Sequence, residues 1–252
     1  MEDQIKINSF RVDGEGLTIF LTLLIVLTVG YFFFQLNWWI TLGLLFLGFI
    51  YIKLQQAQLI GNALEVKGSQ FPEIFELFKT HKERLGLKKV NLYIRQDPQP
   101  NAFTIGFPRA SIIMSSSLVE NLTLKELSFV IAHELGHVKA SHNIILTFIN
   151  PLGTGIPGSS IIFSFWQRKA EYSADRCSLI LTKSVESAIT CLLRITIGLE
   201  LGKKVNLEVY REQLANSGSN MVRVSEAMSD HPLTTNRINK VVSFWKESFI
   251  RR

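Results

Sequence analysis

The chain has 252 residues, 47 % hydrophobic and 19 % charged, with a formal net charge of +6 and two cysteines. Two cysteines at this length exclude a disulfide framework. No module interleaves aromatic with basic residues, which argues against nucleic acid and leaves an anionic membrane surface as the partner of the positive charge.

In chain order, residues 1–16 form a short N-terminal segment. No charged residue occurs between Glu15 and Lys53. Residues 17–36 and 38–54 are two apolar runs separated by the polar break Gln35-Leu36-Asn37. A bilayer takes about 20 helical residues, so the two runs predict a transmembrane helical hairpin, with Tyr31, Trp38 and Trp39 at the far interface. The competing reading is a hairpin buried in a soluble core. A cleaved signal peptide is disfavoured, because a second apolar run follows at once. A hairpin returns both ends to one side. Lys53, Lys67 and the later basic residues share that side, which the positive-inside rule makes cytoplasmic. The expectation is an integral protein of the cell (inner) membrane, in contact with the lipid bilayer.

Residues 65–252 make one domain's length of chain. Pro72 opens an amphipathic helix carrying Ile74, Phe75, Phe78 and Leu85, closed by Gly86; His81 on it reads as a surface residue. Val90–Arg95 alternates as a strand does, and 102–106 with 111–115 suggests a small hairpin around Pro108. The fold class is α+β, helix-rich with a small β-sheet.

Next comes the most informative motif. Thr123-Leu124-Lys125-Glu126 has the form of a capping box, and it opens a helix whose Leu127, Val130, Ile131, Leu135 and Val138 form an apolar stripe. This helix contains His133-Glu134-Leu135-Gly136-His137, the pattern H-E-x-x-H. At about 100° per residue, His137 lies about 40° round from His133, and Glu134 about 60° beyond it. Two imidazoles one turn apart can share a metal, with a carboxylate beside them placed as general base. Burying these groups without a shared ion would be expensive. Gly136 costs about 1 kcal/mol of helix propensity, which suggests that another element approaches there. His142, about 180° further round if the helix continues, is expected to point away.

Residues 143–167 hold two apolar runs around PLGTGIPGSS and read as an apolar, Gly/Pro-broken flap beside the site, with a third dip into the membrane as the alternative. A second helix then carries Glu171 and Asp175 on one face. Glu171 is the best third ligand and would leave the open fourth position of a catalytic zinc site. Asp175 suits a partner that orients a ligating histidine. Taken alone, the pair reads as a solvated acidic face matched to Arg168, Lys169 and Arg176. Further helices are expected near 184–201, 205–216 and 236–250. His231-Pro232 by itself is a loop entry to the last of them.

With Asn101-Ala102-Phe103, the H-E-x-x-H motif, Glu171 with Asp175, and His231-Pro232 with Arg237 in this order, the chain resembles the family of membrane zinc metalloproteases that includes HtpX-like proteases and the CAAX prenyl endopeptidases. The resemblance implies one Zn2+ per chain on His133, His137 and Glu171, with Glu134 as the catalytic base. It implies that Asn101, Ala102 and Phe103 line the substrate cleft as a strand edge, and that His231 and Arg237 help to stabilise the transition state. It also implies polypeptide substrates, with quality control of membrane or misfolded proteins favoured. The alternatives are CAAX-type prenyl-protein processing, or a non-catalytic zinc-stabilised membrane adaptor, which would not need Glu134. An intramembrane protease of the site-2 type fits poorly, since Lys125, Glu126 and Lys139 flank the motif.

Overall fold

The structure is a computed structural model, describing residues 4–149, 159–206, 209–210 and 233–250. Its N-terminal part is two long apolar helices, α1 (Glu15–Leu36) and α2 (Trp38–Gly61), hinged at Asn37, whose side chain accepts from the Ile40 amide to start α2. Both helices are long and apolar enough to cross a membrane, and the most apolar stretch of each is only 6 % buried. A hairpin of a soluble core would bury that surface, so the competing reading loses its support.

A four-stranded mixed sheet follows: β1 (Ala63–Glu65), β2 (Val90–Arg95), β3 (Ala102–Ile105) and β4 (Ala110–Ser115), in the order β1-β2-β4-β3. β1 runs antiparallel to β2 and β2 parallel to β4, while β3 and β4 form the expected hairpin, pairing Ala102 with Met114 and Ile105 with Ser111. β3 is therefore an edge strand.

Between β1 and β2 lies α3 (Pro72–Arg84), opened by its proline at the first turn. It buries Ile74, Phe78 and His81 against the core. His81 is not a surface residue: it is 5 % exposed, with Nε2 2.7 Å from Ser128 Oγ. It shares the apolar face of Ile74 and Phe78 by helical spacing, and that shared face overrides its polarity. Burial, with nearby Arg84, lowers its pKa to about 4, so it is neutral at pH 7.

The helical layer comprises α4 (Ser116–Asn121), α5 (Leu124–Lys139), α6 (His142–Ile149), α7 (Ser159–Thr182), α8 (Val185–Ile197) and α9 (Thr234–Trp245), the last extended by a turn to Ile250. The expected helix near 205–216 lies mostly outside the described residues, as does the Gly/Pro centre of 143–167, and the His231-Pro232 pair lies wholly outside them. The described ends of 143–167 are helical, and Trp166 on α7 is fully buried. One core joins sheet and helices, including Leu92, Ile112, Met114, Ile131, Leu135, Leu179 and Val241. Phe10, from the segment before the hairpin, is 0 % exposed within it.

Candidate metal centre

The site begins with the start of α5. Thr123 accepts from the Glu126 amide, and Glu126 accepts from the Thr123 amide at 2.8 Å, so the capping box forms as its spelling predicts. Buried Arg194 on α8 also binds Glu126 Oε2 at 2.5 Å. This fixes where α5 begins, and helix geometry then fixes His133, Glu134 and His137. Gly136 faces α7. A Cβ there would come within 3.0 Å of Cys177 Cβ and 3.3 Å of Ala174 Cα. The glycine is thus what lets α5 and α7 touch, and that contact sets Glu171 opposite the two histidines.

Three donor groups converge. The Nε2 atoms of His133 and His137 are 3.2 Å apart, and the Glu171 carboxylate oxygens lie 3.4 Å from the first and 3.3 Å from the second. Candidate ligand atoms of the three residues all lie within 4.8 Å of one another. The surroundings fit a divalent cation. Asp175 Oδ1 is 2.9 Å from His133 Nδ1, so that nitrogen donates, and in the neutral ring the Nε2 lone pair is directed at the centre. Three carboxylates, of Glu134, Glu171 and Asp175, gather around the two histidines, and Arg237 pairs with the last two of them. Nitrogen and oxygen donors of this set match zinc.

Arg237 on α9 holds both acidic residues of α7. Its Nε and Nη2 donate to Asp175 at 2.9 and 2.6 Å, and its Nη1 lies 3.2 Å from Glu171 Oε2. Burial opposes the charge on Glu171, but Arg237 and His133 keep its carboxyl well below the ordinary carboxylate range. Glu134 is 5 % exposed, and Thr104 of β3 donates to its Oε2 at 2.6 Å. Two clefts meet at Glu134 and Glu171. Asn101, Ala102, Phe103, His137 and Gln167 line one, and Asn101, Ala102, His133, Thr196 and Arg237 are among those lining the other.

Residues 69–156, which carry β2, β3, β4, α5 and both histidines of the site, match the model of Peptidase family M48. That stretch of the chain is thus similar to an M48 peptidase domain. The Plastoglobule-localized metallopeptidase 48, chloroplastic, of Arabidopsis thaliana is 32 % identical over 168 residues, covering 61 % of this chain and 49 % of that protein. A Protease HtpX homolog of Caldanaerobacter subterraneus subsp. tengcongensis is 31 % identical over 156 residues, 57 % of this chain and 52 % of its own. The chain thus spans about half the length of these curated relatives. The crystal structure of S. mikatae Ste24p aligns with 92 % of this chain and 68 % of its own at 17 % identity and a TM-score of 0.44, too slight a likeness to carry an argument. Glu171, Asp175 and Arg237 lie beyond the matched residues of the M48 model and are placed by geometry alone.

Beside the site, His142 lies elsewhere than expected. α5 stops at Lys139, and Ser141 adopts a left-handed φ of 63°, so the chain turns and α6 starts anew. His142 is therefore swung back towards the site, 0 % exposed, with its Nδ1 3.0 Å from His137 Nδ1. The expectation that it points away fails because the helix it assumed does not continue. Burial lowers its pKa below the ordinary imidazole value despite the opposing pull of Glu15. Thr104, Ser173 and Glu15 also belong to the site region without any motif to mark them. Thr104 follows Asn101-Ala102-Phe103 directly, and that adjacency was the one available hint.

Burial alone would lower the His133 imidazole, yet hydrogen bonds and charge from Asp175 and Glu171 outweigh it and raise its pKa to about 10 in the metal-free protein. The folded value lies above the ordinary 6.5. The protonated ring therefore adds stability in full below about pH 6.5, and that stability is lost as pH rises through about 10. Urea midpoints of the chelated protein should fall steadily across this window, and zinc affinity should rise, because metal and proton compete for Nε2. Midpoints that hold level from pH 7 to 10 would contradict the assigned proton.

Proposed function

We propose that this protein is a membrane-anchored zinc metalloendopeptidase that cleaves polypeptides in an extended conformation. The observation that carries the reading is the convergence of His133, His137 and Glu171 beside Glu134, where two clefts meet. His133, His137 and Glu171 would hold the zinc, which would supply Lewis acidity that makes a water a competent nucleophile near neutral pH. Glu134 accepts the proton of the attacking water and later delivers it to the leaving amine, while Thr104 holds one of its oxygens in place. Among the described residues β3 is an edge strand next to the site, along which a substrate adds as a further strand past Asn101, Ala102 and Phe103. Arg237 lines the second cleft beside the ligands, and with His231, which lies outside the described residues, it is assigned to the oxyanion that develops at the scissile carbonyl.

The relatives named as a metallopeptidase and a protease HtpX homolog support peptide-bond hydrolysis. The two exposed apolar helices support anchoring in a bilayer, with the peptidase domain on the basic, cytoplasmic side of a cell inner membrane. A β-edge cleft takes any sufficiently extended chain, which favours quality control of membrane or misfolded proteins over prenyl-protein processing. Purified in detergent, the full chain should contain about one zinc per molecule and cleave an unfolded substrate such as casein. A chelator should stop the cleavage, and stoichiometric zinc should restore it. Undiminished cleavage by the chelated, metal-free protein would refute the reading.

A further inference from the structure

Each histidine of the centre needs its second ring nitrogen held, or the ring can turn or present the wrong tautomer to the metal. For His133 the holder is Asp175, 2.9 Å from Nδ1. No carboxylate touches His137 in this way among the described residues. Its Nδ1 instead meets His142 Nδ1 at 3.0 Å, and His142 Nε2 meets Glu15 Oε1 at 3.0 Å. All three residues of this hydrogen-bonded chain are buried, His137 at 4 %, His142 at 0 % and Glu15 at 1 % exposure.

We propose that Glu15 and His142 form a hydrogen-bonded relay that sets the tautomer of His137 and makes the first residue of the apolar hairpin a positioning residue of the metal centre. The proton logic leaves one consistent arrangement. An ionised carboxylate only accepts, so His142 Nε2 carries a hydrogen. The neutral ring has no second hydrogen, so its Nδ1 accepts, and His137 Nδ1 must be the donor. The Nε2 lone pair of His137 then faces His133 Nε2 and Glu171. The relay thus does for His137, through one intervening imidazole, what Asp175 does directly for His133.

The rest of the neighbourhood is built around this pair. Trp166 stands edge-on over the His142 ring, with centroids 5.6 Å apart, and is itself fully buried, closing the relay to water. Arg11 Nε donates to Glu15 Oε1 at 2.8 Å, and Ser173 Oγ donates to Glu15 Oε2. Ser173 also accepts from the Val12 amide at 2.9 Å, and Lys169 Nζ donates to the Asp13 carbonyl at 2.8 Å. The chain just before the hairpin is therefore strapped to α7, the helix that carries Glu171.

This inference rests on the zinc reading above, and the test separates the two. The full chain is prepared in detergent as wild type, Glu15→Gln, His142→Phe and the double variant. Zinc dissociation constants are measured by chelator competition, and metal-free unfolding is followed as a control for folding. Loss of an outer partner of this kind weakens metal binding about 10–100-fold. We expect that loss for His142→Phe, a lesser one for Glu15→Gln, and a double variant no weaker than His142→Phe, because both act through one hydrogen bond. Nitrogen-15 spectra of labelled histidine should show His137 protonated at Nδ1 in the wild type and a mixture of tautomers in Glu15→Gln, which keeps the size of the side chain and remains informative if His142→Phe does not fold. Wild-type zinc binding with unchanged constants in the variants, or fully additive losses, would overturn the relay. A wild type that binds no zinc would sink the metallopeptidase reading instead, and the tautomer spectra would still decide the relay.

Discussion

Glu134→Gln should lower cleavage of an unfolded substrate by about 10²–10⁴-fold while leaving zinc content and fold intact. The substitution is nearly isosteric, and the new amide oxygen can still accept the Thr104 hydroxyl that now binds Oε2 at 2.6 Å. What disappears is the one property a structural site does not require, a basic oxygen beside the His133–His137–Glu171 group. The comparison of activity with metal content distinguishes an enzyme from a zinc-stabilised adaptor. Retained proteolysis in a zinc-loaded Glu134→Gln protein would remove Glu134 from its assigned role.

Arg237→Ala should be strongly destabilising. Arg237 is 18 % exposed, and it faces Glu171 and Asp175, whose side chains are 15 % and 2 % exposed. Deleting the guanidinium leaves two adjacent carboxylates facing only the rings of His133 and His137 among the described residues, and breaking a buried pair in this way costs about 3–5 kcal/mol. A bound divalent cation supplies part of the missing positive charge, so the loss should be greater in chelator than in zinc. Arg237→Lys keeps the charge but cannot reproduce the two-pronged contact with Asp175, and it should fall between the two. Urea unfolding with and without zinc measures each value. A loss under about 1 kcal/mol in chelator would mean that Arg237 is not what holds the acidic pair.

The elements that declared themselves in the sequence did so through short-range rules. The capping box, the one-turn spacing of His133 and His137, and the alternation of Val90–Arg95 all follow from neighbours a few residues apart. Gly136 hinted at a close approach, and α7 supplies it. What stayed hidden depends on contacts across long stretches of chain. His142 was misplaced because a single left-handed residue, Ser141, ends one helix and redirects the next, and serine carries no strong signal for that conformation. His81 was misplaced because a polar residue on an apolar face is buried only if a partner such as Ser128 waits opposite. Glu15 looked like the last charge before a membrane segment. Its partner His142 lies 127 positions away, and no periodicity links them. Phe10 is a lone aromatic in a polar stretch, and its place in the core depends on the tertiary fold alone.

The strap between the N-terminal segment and α7 bears on how the protein can be taken apart. An anchor is usually treated as a detachable part, to be trimmed so that the catalytic portion can be handled in water. Here a chain begun at residue 65 would lack Phe10, leaving a ring-sized void in the interior, and would leave His142 and Ser173 facing that gap without Glu15. Such a fragment would be soluble only at the cost of a looser interior and a poorly held ligand. For this protein the apolar hairpin and the candidate metal centre are not interchangeable modules, and a swapped or trimmed anchor needs the first fifteen residues kept with it.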